Sequence, residues 1–154
     1  MSIAMELQRY LEDSHVSYDV TEHKKTSCSS KTAEASHVPG DSLAKGVVLK
    51  WNETYLLAIV PATRHVELDK VEEFLDGKVK LASEQEASRL FPDCEEGAIP
   101  VMGGAYGVPS IIDELLEDSQ EIYFEGGDHR SLVHMSGDEF SYLMCDVPRS
   151  QISA

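Results

Sequence analysis

Leu43-Ala44-Lys45-Gly46-Val47-Val48-Leu49, then Trp51-Asn52-Glu53-Thr54, then Tyr55-Leu56-Leu57-Ala58-Ile59-Val60: two apolar runs separated by a turn-prone tetrapeptide read as a β-hairpin. The element after the hairpin decides the fold class. Leu68, Val71, Phe74 and Leu75 recur at helical steps, and Gly77 stands where a C-cap is expected. The order is strand, strand, helix, not the alternation of a parallel βαβ sheet. Downstream, Val79 and Leu81 predict a short strand, and Ser83-Glu84-Gln85-Glu86 has capping-box spacing for a helix to about Leu90. Pro92 to Pro109 holds three of the six prolines and four of the ten glycines, so it reads as a shaped loop. Strands are expected at 110–113, 121–124 and 132–135, with a last helix over 137–144. Upstream, Ile3, Leu7, Tyr10 and Leu11 mark one helix face over 3–13, and Val16 to Val20 alternates as a strand does. Lys24 to Ser30 reads as a loop, Thr32-Ala33-Glu34-Ala35 as a short helix, and Val38-Pro39-Gly40-Asp41 as a break. There is no internal repeat and no low-complexity linker. The pattern is α+β, in one domain over residues 1–154.

Length and composition fit that reading. The chain has 154 residues, 42% hydrophobic and 27% charged, ordinary values for a globular domain with a real core. Its apolar runs fall far short of the roughly 18 residues of a membrane-crossing helix. No basic or hydrophobic leader opens the sequence, and Cys28, Cys94 and Cys145 are an odd, widely spaced set. Both features point to a cytoplasmic protein with free thiols and no membrane partner. The net charge of −15 argues against broad electrostatic capture of nucleic acid, DNA included. The acid is unevenly spread: Met1–His65 carries 7 basic and 8 acidic residues, whereas the remainder carries 6 and 20. Within His23–His65, Lys24, Lys25, Lys31, Lys45, Lys50 and Arg64 outnumber the acids, which leaves room for a local phosphate-binding surface beside the plainer reading of solvated lysines.

Three constellations could carry chemistry. Lys45 is an ammonium inside an apolar strand, which is costly unless it lies at an edge, is paired, or faces a cleft. In a cleft it could hold a phosphate or a ribose hydroxyl, or polarise a carbonyl. The loop Glu95-Glu96-Gly97-Ala98-Ile99-Pro100-Val101-Met102-Gly103-Gly104 could turn successive amides toward one oxyanion, although a tight corner is the commoner use of such a loop. It is neither a Walker loop nor a dinucleotide fingerprint. Glu125-Gly126-Gly127-Asp128-His129 ends a strand in two glycines and a polar pair, with His129 as acid, base, orienting donor or plain surface residue. His129 and His134 lack helical spacing for a shared metal, and the cysteines lack C-x-x-C spacing, so no metal is expected. Glu22-His23 could frame a pocket or simply be surface.

The order of these pieces is more specific than any one of them. Thr32–Ala35, Leu43–Leu49, Tyr55–Pro61, Val66–Lys70, Leu81–Ser83, Gly97-Ala98-Ile99-Pro100, Pro109-Ser110-Ile111-Ile112-Asp113 and Gly126-Gly127-Asp128-His129 follow one another as in the YbaK/prolyl-tRNA synthetase-associated editing domain family, which the chain resembles over essentially its whole length. The resemblance implies a mixed, barrel-like β-sheet flanked by short helices. It also implies hydrolysis of the ester of a mischarged aminoacyl-tRNA, such as Ala- or Cys-tRNA(Pro), without a cofactor. By the same resemblance Lys45 fixes the terminal adenosine or phosphate end, and the Gly97 and Ala98 backbone holds the aminoacyl carbonyl. Ile99, Pro100 and Gly103 then belong to the binding loop, Asp128 and His129 to the pocket wall, and His23 and Thr32 to the early segment shaping the amino-acid pocket. The implied partner is the acceptor end of an aminoacyl-tRNA, delivered with help from a synthetase or elongation factor because the chain is so acidic. Two rival readings keep the same fold: a non-catalytic module that binds a nucleotide or RNA end, and a hydrolase of small esters unrelated to tRNA.

Overall fold

The computed structural model describes residues 3–23 and 38–154. In chain order the elements are α1 (Met5–Asp13), β1 (Asp19–Glu22), β2 (Leu43–Trp51), β3 (Thr54–Pro61), α2 (Leu68–Leu75), β4 (Val79–Leu81), α3 (Glu84–Leu90), β5 (Ser110–Asp113), β6 (Glu121–Glu125), β7 (Ser131–Ser136), α4 (Gly137–Leu143) and β8 (Arg149–Ser150). Short 3-10 turns occupy Gly40–Ser42, Gly103–Tyr106 and Glu114–Asp118. The hairpin forms as expected, in register from Ala44 opposite Pro61 to Trp51 opposite Thr54. Asn52 takes the left-handed turn conformation, φ 57°, which asparagine tolerates better than most residues.

The strands make an eight-stranded mixed sheet in the order β1-β7-β6-β2-β3-β5-β8, with β4 added on β2. Strand β2 is the organiser. One of its edges is filled along its length by β3. The other is divided: Leu43 and Ala44 pair in parallel with Tyr123 and Phe124 of β6, whereas Leu49, Lys50 and Trp51 pair antiparallel with Leu81, Lys80 and Val79 of β4. Between these two partners, Lys45–Val47 have no strand on that edge among the described residues.

Alternation along the strands sorts the core into layers. Ala44, Val48, Leu57 and Ile59 face a large cluster with Phe124 and Val133, covered by Leu7 and Leu11 of α1 and Phe140 of α4. Leu49, Leu56, Ala58 and Val60 face the opposite way, against Val71 of α2 and Ile152 near the C-terminus. Each fully buried leucine or isoleucine contributes about 1.5–3 kcal/mol relative to exposure. The 3.6-residue periods seen in the sequence are therefore docking stripes. Among the described residues no helix is long and apolar enough to cross a membrane.

The structure corrects several boundaries. The first strand is Asp19–Glu22, three residues later than its alternation indicated, because pairing with β7 sets it: Asp19 lies opposite His134 and Glu22 opposite Ser131. Val16 packs into the main core before the strand begins. At the end of α2 the left-handed cap is Asp76, φ 59°, not Gly77. Gly77 is needed for closeness instead, since a Cβ there would stand 2.4 Å from the Trp51 indole nitrogen. The capping box of α3 is present in both directions, with the Glu86 amide on Ser83 Oγ at 3.1 Å and the Ser83 amide on Glu86 Oε1 at 2.8 Å. The short helix expected at Thr32–Ala35 lies outside the described residues.

The tail beyond α4 is bound by a buried carboxylate. Asp113, at the end of β5, accepts from the amides of Leu115 (2.9 Å) and Ile152 (3.1 Å) and from Ser153 Oγ (2.6 Å). His65 and Ala154 then exchange two backbone hydrogen bonds of 2.9 Å. Asp113→Ala strands these donors in the interior and is expected to cost about 2–4 kcal/mol. Urea unfolding would show it as a lower midpoint at unchanged slope.

A second tie crosses the sheet near its β1 end. His134 of β7 lies 3.1 Å from Asp19 of β1 through Nδ1, bonds Glu121 of β6 through Nε2, and stacks on Tyr123 with centroids 4.5 Å apart. Burial pulls its pKa down, but the hydrogen bonds its ring donates to Glu121 and Asp19 outweigh that and hold it above its ordinary 6.5. A raised folded-state value stabilises fully below the unfolded pKa, and the contribution is lost as pH rises through the folded one. The carboxylates are largely exposed, so the effect is limited to about 1 kcal/mol. The stability lost in His134→Gln, measured by urea unfolding, should be largest near pH 6 and shrink toward pH 9.

Candidate functional site

The two glycine-bearing segments singled out in the sequence meet in space. After β6 the chain turns through Gly126, Gly127, Asp128 and His129 before β7. Asp128 builds this turn: its Oδ1 accepts the amides of Arg130 (2.9 Å) and Ser131 (2.6 Å), and its Oδ2 accepts the Ser131 hydroxyl (3.0 Å). Burial works to raise the Asp128 pKa, but these donors outweigh it and the net value is lowered, so the carboxylate is charged. The turn places His129 at φ 61°, a left-handed conformation uncommon for residues other than glycine, though asparagine, aspartate and histidine adopt it more often than most. His129 is buried, with 6% of its surface exposed.

The 95–98 segment lies directly against that turn. The Glu95 amide donates to the Gly127 carbonyl at 2.7 Å, and His129 Nε2 lies 2.6 Å from the Glu96 carbonyl. Within the segment the Ala98 amide donates to the Glu95 carbonyl at 3.0 Å, closing a β-turn with Gly97 at φ 83°. Ala98 and Pro100 are buried, Gly97 is exposed and Ile99 half-buried. Of the two amides expected to meet a substrate carbonyl, Ala98's is thus already engaged. Gly97's has no backbone acceptor among the described residues. Gly103 is buried one turn further on, and its carbonyl accepts the Val108 amide at 2.9 Å, so it closes the loop.

Lys45 reaches the same end of the sheet from β2. It is half-buried, stands opposite Val60, and is one residue past the Ala44–Phe124 pair. One residue past Phe124 is Glu125, from which the glycine turn departs. Lys45 therefore sits in the divided edge of β2, level with the base of that turn. His23 follows β1, and its amide donates to the Arg130 carbonyl at 2.8 Å, which joins a third segment to the same turn. Thr32 lies outside the described residues.

Other groups nearby are quiet. Burial pushes the Cys94 thiol up to about 12, against the smaller opposing effect of the Tyr106 hydroxyl, so it is no thiolate nucleophile. Burial also works to raise the Asp93 pKa, but the Glu6 amide, the Tyr106 hydroxyl and Cys94 outweigh it, and the net value is lowered. Asp93 holds the start of α1 through the Glu6 amide at 3.0 Å. Among the described residues no three His, Cys, Asp or Glu side chains are grouped to hold a metal ion. The sequence reading missed the contact of His129 with Glu96, which no residue pattern announces. The turn-forming work of Asp128 did have a signal, an aspartate three residues before a serine just after two glycines.

Known structures share this architecture. A hypothetical protein, APE2540, superposes with a TM-score of 0.86 at 16% identity, covering 97% of this chain and 99% of its own. A candidate trans-editing enzyme for prolyl tRNA synthetase gives a TM-score of 0.84 at 21% identity, with 97% and 95% covered. A candidate signal transduction protein from Marinobacter aquaeolei VT8 gives 0.81 at 15% identity, and there the matched part is 31% of the longer chain. At such identities these likenesses show the fold alone. No curated protein sequence matches the chain. The family assignment comes from the sequence: residues 21–143 match the model of the aminoacyl-tRNA editing domain. That span runs from β1 through the divided strand, the Gly97 turn and the Asp128 turn to α4, and the chain belongs to the aminoacyl-tRNA editing domain family.

Proposed function

We propose that the chain, acting as one editing domain over residues 1–154, is a cytoplasmic trans-editing deacylase that hydrolyses the ester of a mischarged tRNA of the Ala- or Cys-tRNA(Pro) kind. The observation that carries this reading is Gly97, an exposed residue whose amide has no backbone acceptor among the described residues. It lies in a loop tied to the glycine turn, at the sheet end where Lys45 lies. In this reading Lys45 holds the terminal adenosine or phosphate end. The Gly97 amide takes the aminoacyl carbonyl oxygen, while Ile99, Pro100 and Gly103 keep the loop in shape and His23, Thr32 and Asp128 bound the amino-acid side.

An aminoacyl ester is already activated, so orientation and oxyanion stabilisation can supply much of the acceleration. Water adds to the carbonyl carbon, the negative charge builds on the carbonyl oxygen facing the amide, and the carbon–oxygen bond to the ribose breaks. The ribose oxygen leaves with one of the water's protons, the other passes to solvent, and the amino acid leaves as its carboxylate. The chemistry asks for neither a metal nor a protein nucleophile. Cys94, half-buried and with its thiol pKa raised, supplies none.

The acidity of the chain bears on delivery. A net charge of −15 disfavours unaided capture of a polyanion, so a synthetase or elongation factor that presents the acceptor end suits this surface. The same acidity favours the second reading, a binding module that has kept the fold without the reaction. Deacylation of a panel of mischarged tRNAs, with and without synthetase, separates the two. Turnover of at least one substrate is expected, and Lys45→Ala should lower kcat/KM more than about tenfold, roughly 1.4 kcal/mol of transition-state stabilisation. No turnover of any substrate would hand the site to the binding module, and turnover of free aminoacyl-adenosine as fast as of full tRNA would make it a small-ester hydrolase.

A further inference from the structure

We infer that His129 is a positioning residue: its Nε2–H locks the Glu96–Gly97 peptide in the orientation that presents the Gly97 amide outward. The catalytic part of this inference rests on the deacylase reading above; the lock itself does not.

A carbonyl oxygen only accepts, so at 2.6 Å from the Glu96 carbonyl His129 Nε2 must carry the proton. Nδ1 is buried and has no hydrogen-bond partner among the described residues. The ring thus acts through one nitrogen, and that nitrogen touches backbone.

The consequence comes from peptide geometry. In a planar trans peptide the C=O of one residue and the N–H of the next point in opposite directions. Fixing the Glu96 carbonyl toward His129 therefore fixes the Gly97 N–H away from it. The turn makes this matter. Glu95 to Ala98 is closed by the Ala98 amide on the Glu95 carbonyl, 3.0 Å, with Gly97 third at φ 83°, the type II arrangement. Types I and II differ by a flip of the central peptide, which here is Glu96–Gly97. Glycine accepts either form, so the sequence of the turn alone leaves the amide free to face either way. The bond from the Glu95 amide to the Gly127 carbonyl, 2.7 Å, is no restraint on that flip either, because it anchors only the start of the turn. His129 is what selects the flip. The left-handed backbone of His129, imposed by the Asp128 turn, is part of the same device.

Three substitutions test this. Glutamine carries an amide N–H at about the reach of Nε2. Asparagine tolerates φ 61° better but cannot reach. Leucine has no donor. His129→Leu and His129→Asn are expected to lower kcat at least tenfold with KM changed less than about threefold, and His129→Gln to recover most of that loss. Activity in His129→Asn with loss in His129→Gln would reduce the residue to its backbone conformation and overturn the lock. Equal loss in all three, with an inflection missing from the pH profile, would make the imidazole an acid or base and also overturn it.

A structural readout stands apart from activity. In folded wild type and His129→Gln, checked by circular dichroism, a strong nuclear Overhauser effect between Glu96 Hα and the Gly97 amide proton marks type II. It should weaken in His129→Asn, with the Gly97–Ala98 amide pair persisting. An unchanged effect in every variant overturns the lock. Wild type that deacylates nothing removes the deacylase reading and the catalytic role, while the Overhauser comparison still decides whether His129 holds the turn.

Discussion

The divided edge of β2 is the constraint on which the rest of the structure depends. A nine-residue strand inside a sheet would ordinarily carry one neighbour along each side. Here β3 fills one side, and the other is shared by β6, parallel at the start, and β4, antiparallel at the end. Two partners running in opposite senses cannot be continuous with each other, so among the described residues the edge carries no strand between them. That stretch is Lys45–Val47. Lys45 stands there half-buried, opposite Val60 of β3. The parallel pairing with β6 also brings the end of that strand, and the glycine turn after it, level with Lys45.

From that point the site is assembled by backbone more than by side chains. The Gly127 carbonyl holds the Glu95 amide, the Arg130 carbonyl holds the His23 amide, and the Glu96 carbonyl meets His129. Asp128 commits its carboxylate to two amides and a hydroxyl of its own turn. A charged group used in this way stabilises a shape instead of a ligand, and its lowered pKa records the same fact. Three chain segments far apart in sequence are thus tied into one surface, and amides fixed in orientation are worth most to a developing oxyanion.

The hairpin, α2, β4, the boxed helix α3 and the strands after the long loop were all legible, because each rests on a local pattern: apolar alternation, helical spacing, or a serine three residues before a glutamate. What escaped depends on a partner. β1 slid to Asp19–Glu22 because His134 and Ser131 across the sheet fix its register. β8 spans only Arg149–Ser150 and is held by β5 and a buried aspartate, so no period announces it. Gly77 was visible as a glycine but misassigned in role, since the demand on it comes from Trp51, twenty-six positions away in the chain. Lys45, Gly97 and His129 were legible as candidates, but their relation to one another was not.

That difference separates what the fold asks of the sequence from what the site asks of it. Structures with 15–21% identity overlay nearly the whole chain. Such divergence is tolerable for a core in which alternate positions need only be apolar and of suitable volume. An amide donor has no side chain to conserve at all. What must be kept is the conformation of the peptide that carries it, and here this needs a glycine at φ 83° and a closing bond from Ala98. It also needs a donor from another part of the chain to choose between two nearly equivalent turns. A glycine by itself therefore says little about whether such a site works. The informative residue is the one that removes the glycine's freedom, and in this chain that residue is His129.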